Sequence, residues 1–221
     1  MKLSAGVQAV LSTFLFLWLL AATGSAAAGD ALVIDDFNAG LKPNWKIKTF
    51  KGQTHYSVID QDGERVLTAL STAAASALVF EKTYSLRDYP VLSWRWKVAN
   101  ILAGGDARSK AGDDYPARIY VVFPHWFFPK TRSINHIWAN KLPKGAHLPS
   151  SYTANSVMVA VQSGPEQVGR WIRERRNVRD DYRGIFGTEP PAAGAIAIMT
   201  DTDNTGGTAR AWYDDLRLEK E

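Results

Sequence analysis

The chain has no cysteine among its 221 residues. That excludes disulfides, a thiol nucleophile and any thiolate metal site. Histidine is scarce, at four, with no His-x-His or His-Glu-x-x-His spacing, so no zinc site is indicated. No Gly-x-Ser-x-Gly elbow, P-loop or Gly-x-Gly-x-x-Gly occurs, which removes the serine-hydrolase, nucleotide and dinucleotide readings. Charge of one sign is also lacking: 26 basic against 22 acidic residues give a net +4. That balance does not point to nucleic acid or a membrane surface.

Long apolar runs are missing except at the start. Lys2 precedes an apolar run from Val10 to Ala22, and small residues follow through Ala28. The run is shorter than the roughly 20 residues that span a bilayer. It predicts a cleavable signal peptide over 1–28, cut after Ala28, and a bacterial periplasmic or secreted location; an uncleaved anchor is the alternative. No cysteine follows, so a lipoprotein anchor is excluded. The rest, 29–221, is 221 − 28 = 193 residues, read as a single domain with no membrane span. Losing Lys2 leaves 25 basic and 22 acidic residues, a net +3.

What is present is alternation. In Val91–Val98, Leu92, Trp94, Trp96 and Val98 share one face, with Ser93, Arg95 and Lys97 opposite. In Ala117–Phe123, Ala117, Ile119, Val121 and Phe123 share a face, with Arg118, Tyr120 and Val122 opposite. Alternating side chains point to opposite sides of a strand, so each run has a core face and an outer face. If the two strands lie side by side, Arg95, Lys97, Arg118 and Tyr120 form one cationic, partly aromatic surface. The alternative is a solvated face of polar cross-strand pairs.

Further short strands are expected at Ala31–Phe37, Trp45–Phe50, His55–Asp60, Arg65–Leu70, Ser76–Thr83, Ser156–Gln162, Val168–Arg175 (Trp171 inward), Ala195–Thr200 and Ala209–Leu218. Gln61-Asp62-Gly63-Glu64 is hairpin chemistry. Pro124–Ser151 reads as an aromatic, proline-bearing irregular segment, either functional or folded over the core. One helix is expected over 177–186: Asn177 caps it, Asp180 and Asp181 sit in its first turn, and Gly187 closes it. The arginines around it, with nearby acids, read as a solvated ion-pair network. About eleven short strands, one helix and no βαβ rhythm predict an all-β antiparallel sandwich, a jelly roll.

Four acidic pairs stand at strand ends or in loops: Asp35-Asp36, Asp113-Asp114, Asp201/Asp203 and Asp214-Asp215. Hard oxygen ligands suit calcium, and turn chemistry is the alternative. Asp201–Gly206 matches half of an EF-hand loop, but Trp212 stands where the final Glu belongs. Asp114 and Asp203 are candidates for a glycosidase pair only if the fold brings them together.

The segments LSWRWKV, AGDDYPARIYVVF, INHIWAN, VQSG, GRWIRERRNVRDDYRGIFG and GAIAIMTDTDNTGGTARAWYDDLRL together resemble a bacterial family of secreted proteins catalogued as domain of unknown function 3047. The resemblance covers nearly all of 29–221 and implies no reaction or catalytic residue. More distantly, VIDDFNAG and AWYDDLRL resemble the two ends of jelly-roll carbohydrate-binding modules. That likeness implies paired first and last strands and a structural calcium beside Asp36 and Asp215.

Three functions are weighed. The favoured one is non-catalytic binding of a glycan or polysaccharide on the concave sheet face. Trp126, Trp138 and Tyr120 would stack, while Arg95, Lys97, Arg118 and Gln162 would donate hydrogen bonds; their charge favours an acidic glycan. The second is a polysaccharide lyase or hydrolase on the same face, using Arg95, Arg118, Tyr120 and His136. The third is an envelope interaction protein that docks through Pro124–Ser151, marked by an exposed apolar patch there.

Overall fold

The computed structural model of the protein describes residues 31–221. The expected signal peptide lies outside the described residues. Two sheets face each other. In the first, Val91–Val98 (β6) lies between Ile172–Asn177 (β11) and Thr208–Glu219 (β13). The sheet continues from β13 to Glu64–Thr72 (β4) and His55–Gln61 (β3), and Ala31–Asp35 (β1) also pairs with β13. In the second, Trp45–Lys51 (β2), Ala75–Tyr84 (β5), Ala193–Met199 (β12), Ala117–Phe123 (β7), Arg132–Ala139 (β8), Ser156–Ser163 (β10) and His147–Pro149 (β9) follow one another across the sheet. The β-sandwich class is the one expected, and the first and last strands do pair.

Alternation sets the layers. The inward residues Trp94 and Trp96 of β6 and Trp138 of β8 are fully buried between the sheets. Their rings meet at 5.4 Å (Trp94–Trp96) and 5.9 Å (Trp96–Trp138). Ile119, Val121 and Phe123 of β7 and Ile196 and Ile198 of β12 complete the opposing layer. The apolar clusters draw on residues between Leu32 and Leu218. The β3–β4 hairpin turns at Asp62 and Gly63 with φ of 58° and 83°, the double positive φ that a two-residue turn needs.

Four expectations are corrected. Strands β6 and β7 are not neighbours: the chain over 99–116 carries β7 into the other sheet. The segment Pro124–Ser151 is only partly irregular, since β8 and β9 lie within it. One pair, β8 with β10, is parallel, so the sandwich is not wholly antiparallel. Trp171 packs outward against Arg95 and Lys97 rather than into the core.

The helix Val178–Phe186 (α1) has the expected caps. The Asn177 side chain accepts from Asp180 N at 3.0 Å, and Gly187 closes it at φ 68°. Val178 and Tyr182 bury its inner face. Asp181 accepts from Arg176 Nε at 3.1 Å and contacts the buried His136 Nε2 at 3.1 Å, tying α1 to β8.

A second apolar cluster lies outside the sandwich. Tyr115, Ile137, Ala139, Leu142, Met158 and Ala160 pack beneath the 107–115 and 142–148 loops, on the outer face of β8 and β10. Asn140 anchors this cover: its Oδ1 accepts from Leu102 N (2.7 Å) and its Nδ2 donates to the Asp114 carbonyl (2.8 Å). Gly105 allows that approach, since a Cβ there would meet Asn140 Nδ2 at 2.1 Å. The outer face of the second sheet is therefore covered over β8 and β10 and open over β5, β12 and β7.

Candidate binding groove

The open half of that face is a groove. Its floor consists of Ala75, Ala77 and Val79 of β5, Ala195, Ala197 and Met199 of β12, and Tyr120 and Val122 of β7. Register explains the shared face: Ala77 faces Met199, Val79 faces Ala197, and Ala197 faces Tyr120 across the ladders. Alanine at alternate positions keeps the floor low. A bulge between Thr49 and Lys51 of β2 leaves Phe50 beside this floor, and Phe50 borders both halves of the groove. Tyr152, from the turn before β10, forms the other wall and donates to Asn204 Oδ1 at 2.9 Å. Two hollows of about 570 and 490 Å³ adjoin, sharing Phe50, Tyr120 and Met199.

One end of the groove is polar. Arg118 is 4% exposed and forms a bidentate pair with Asp201, with Nε–Oδ1 at 2.7 Å. Its Nη2 also donates to the Asp113 carbonyl at 2.9 Å. The Tyr115 ring lies 4.3 Å from the guanidinium. Burial pushes the Asp201 carboxyl up to about 7; Arg118 pulls it down, and Asp114 and Asp113 push it up again. Burial likewise raises Asp113. Asp113, Asp114, Asp201 and Asp203 thus gather around the buried Arg118 and the more exposed Lys51, which pairs with Asp203 at 3.9 Å, so carboxyl groups outnumber cations at this end. Burial also raises the Tyr120 phenol, which stays neutral and donates only to Met199 Sδ at 3.4 Å.

Carboxylate oxygens of Asp114, Asp201 and Asp203 lie within 4.8 Å of one another. Their chemistry is that of a hard-cation site. However, Asp114 already accepts from Asn204 N (3.2 Å), Asn204 Nδ2 (3.2 Å) and Thr205 N (2.6 Å). Asp201 is held by Arg118. Asp203 has Lys51 Nζ 3.9 Å from its Oδ2 and accepts from Asn204 Nδ2 at 3.3 Å, so the set fits a calcium ion poorly. The same bonds fix Asp114, fully buried, too firmly for a glycosidase acid, although the fold does bring Asp114 and Asp203 together. The expected calcium neighbours have other partners: Asp36 accepts from Asn38 N at 3.2 Å, and Asp215 pairs with Arg173 at 2.6 Å and Arg217 at 3.1 Å.

Among the expected ligand-binding residues, Arg118 and Tyr120 border the groove, but Arg118 is engaged internally. Arg95 and Lys97 lie on the outer face of the opposite sheet. There Arg95 pairs with Asp214 and with Glu64 at 2.6 Å, and Lys97 sits over the Trp171 (5.2 Å) and Trp212 (4.5 Å) rings. No trough unites Arg95 with Arg118. Trp138 is fully buried, its indole donating to the Gly164 carbonyl, and so has no free face for a sugar. Gln162 is buried and donates to Glu174 at 2.7 Å. Trp126 stands apart, 91% exposed at the tip of the β7–β8 turn. His136, proposed for a lyase, is inside the sandwich. The four lyase candidates thus occupy three separate environments. The features not anticipated were Phe50, Tyr152 and the alanine floor. The visible signal was the small-residue alternation in Ala75-x-Ala77 and Ala195-x-Ala197.

The fold and this groove define a β-sandwich with one open outer face. The chain belongs to the family described as "Protein of unknown function (DUF3047)", which matches residues 43–217. No curated protein matches its sequence. Its backbone is similar to a family 11 carbohydrate-binding module of the cellulosomal cellulase Lic26A-Cel5E of Clostridium thermocellum (10% identity, TM-score 0.46, 86% of this chain and 95% of that one). It is also similar to CBM28, a module specific for non-crystalline cellulose (18% identity, TM-score 0.46, 87% and 96%). A third similar structure is a CBM29-2 mutant complexed with mannohexaose (11% identity, TM-score 0.43, 85% and 89%).

Proposed function

We propose that the protein is an exported, non-catalytic glycan-binding module whose ligand lies along the groove of the second sheet. The observation that carries the reading is the groove itself: a long, open hollow with an apolar floor between two exposed aromatic walls, Phe50 and Tyr152. Sugar rings present apolar C–H faces to aromatic side chains and hydroxyls to their edges. Ser150, Thr153, Ser156 and Asn204 offer small polar groups along the rim beside Tyr152. The ligand is a neutral polysaccharide rather than an acidic one. The arginine that suggested an acidic glycan is neutralised by Asp201, and the polar end is surplus in carboxylate. Affinity electrophoresis against soluble neutral and uronate polysaccharides tests this. Retardation by a neutral polymer, weakened roughly tenfold in Tyr152→Ala and unaffected by Arg95→Ala, is the expected result. Free migration in every neutral gel defeats it.

The exposed patch expected of an interaction protein is present at Trp126–Phe128, and it adjoins one end of the groove, where Lys48 lies between the Phe50 and Phe128 rings.

A further inference from the structure

The turn between β7 and β8 combines two features that the groove does not use. Trp126, Phe127 and Phe128 are 91%, 48% and 75% exposed, three consecutive rings at the tip of a turn. Exposing such rings to water is unfavourable unless a partner covers them. Immediately behind the tip is a hollow of about 430 Å³, lined by His125, Lys130, Arg132, Asn155 and Tyr182 and by no carboxylate. Arg132 is pre-positioned there. It donates to Tyr182 Oη at 2.9 Å, and its guanidinium lies 4.6 Å from the Phe186 ring and 5.7 Å from that of Tyr182. Its Nε and Nη2 have no acceptor among the described residues. On the other side of the tip, Lys48 lies 5.9 Å from the Phe128 ring. Neither it nor Lys130 nor Arg132 pairs with a carboxylate among the described residues. Almost every other cation of the second sheet is neutralised, Lys46 by Glu81 and Arg118 by Asp201.

We propose that this tip docks the protein on an anionic lipid surface, the three rings entering the interfacial layer and the Arg132–Lys130 hollow taking a lipid phosphate. Aromatic rings partition to the membrane interface, and unpaired cations beside them are drawn to anionic headgroups. A polysaccharide is the weaker partner. Two of the three rings are phenylalanine, with no polar edge, and the groove already offers a longer stacking surface. The balanced net charge conceals the feature because it is local to one turn.

The test uses residues 29–221, which contain the whole sandwich, and vesicles of phosphatidylcholine with or without phosphatidylglycerol. Binding is expected only with phosphatidylglycerol, weakening as salt is raised. Brominated acyl chains should quench emission from the native protein, and Trp126→Phe should remove the quenching while keeping most of the binding. Trp126→Ser/Phe128→Ser should weaken binding roughly tenfold or more with an unchanged melting temperature, because both rings are exposed. No binding to either vesicle, binding unchanged in that double variant, or binding of inorganic phosphate or an anionic polysaccharide without vesicle binding overturns the proposal. A groove variant, Tyr152→Ala, should bind vesicles normally, so failure here and failure of the glycan reading are separate results.

Discussion

Replacing Arg118 with methionine keeps most of its apolar stem and removes its charge, leaving Asp201 buried beside Asp113 and Asp114. Unit charges about 4 Å apart interact by about 4 kcal/mol at an effective dielectric near 20. Breaking a buried pair from one side typically costs about 3–5 kcal/mol, because the remaining charge keeps its desolvation penalty. Both partners are nearly fully buried, so that range applies without a discount for solvent screening. Urea denaturation should therefore show a loss of about 3–5 kcal/mol at pH 8. The deficit should shrink in acid. The Asp201 carboxyl already sits near 7 in the folded protein and rises further once Arg118 is gone. A carboxyl raised on folding contributes most below its unfolded value near 3.9, and that contribution is lost as pH climbs toward the folded value. Arg118→Met/Asp201→Leu should regain most of the loss and flatten the pH dependence. A single-variant loss below about 1 kcal/mol would show that Arg118 is a solvated ligand-facing side chain and that this account of the groove's polar end is wrong.

Other consequences follow from the same geometry. Ala197→Leu should crowd the groove floor and abolish glycan binding, and because Ala197 is buried among Ala77, Met199, Val79 and Tyr120 the added bulk should also cost about 1–3 kcal/mol; thermal melts and titration calorimetry read both. Phe50→Ala and Tyr152→Ala should each weaken binding by roughly tenfold, near the upper end of what a ring contact contributes, without altering the melt. Trp96→Ala should cost about 3–5 kcal/mol by leaving a cavity between the sheets. Burial pushes the Asp181 carboxyl up, but hydrogen bonds from His136 and Arg176 outweigh it and hold it below the usual range. Its stabilisation is therefore present above pH 4 or so and lost as pH falls through the folded value. Asp181→Asn should accordingly destabilise at pH 7 and far less at pH 2.5, as acid-titration melts would reveal.

The sandwich was legible because burial in a two-layer β fold follows a period of two. Leu92, Trp94, Trp96 and Val98 were assigned to the core by parity alone, and so were Ala117, Ile119, Val121 and Phe123. Asn177 and Gly187 bracketed the helix because capping is local chemistry. Parity does not say which sheet a strand joins. The polar faces of β6 and β7 were correctly identified as outward, yet they point away from each other on opposite sides of the molecule, since the 99–116 crossover is neither a hairpin nor recognisable as a sheet change. Strand β8 was hidden because RSINHIWA mixes Asn135 and His136 into its run, and the tertiary partners Ser156 and Asp181 each engage one polar atom of these side chains. Arg118 looked like a ligand group because nothing local shows that Asp201, far along the chain, would neutralise it. The groove depends on two alanine-bearing strands becoming neighbours, which is also a long-range fact.

The glycan claim is most directly tested by backbone amide shift mapping while a neutral hexasaccharide is titrated into the labelled protein. Saturable shifts should concentrate on Ala77, Tyr120, Tyr152, Ala197 and Met199, leaving the face that carries Arg95 and Lys97 unmoved. Shifts confined to Arg95, Lys97, Trp171 and Trp212, or none with any neutral oligosaccharide, would contradict it.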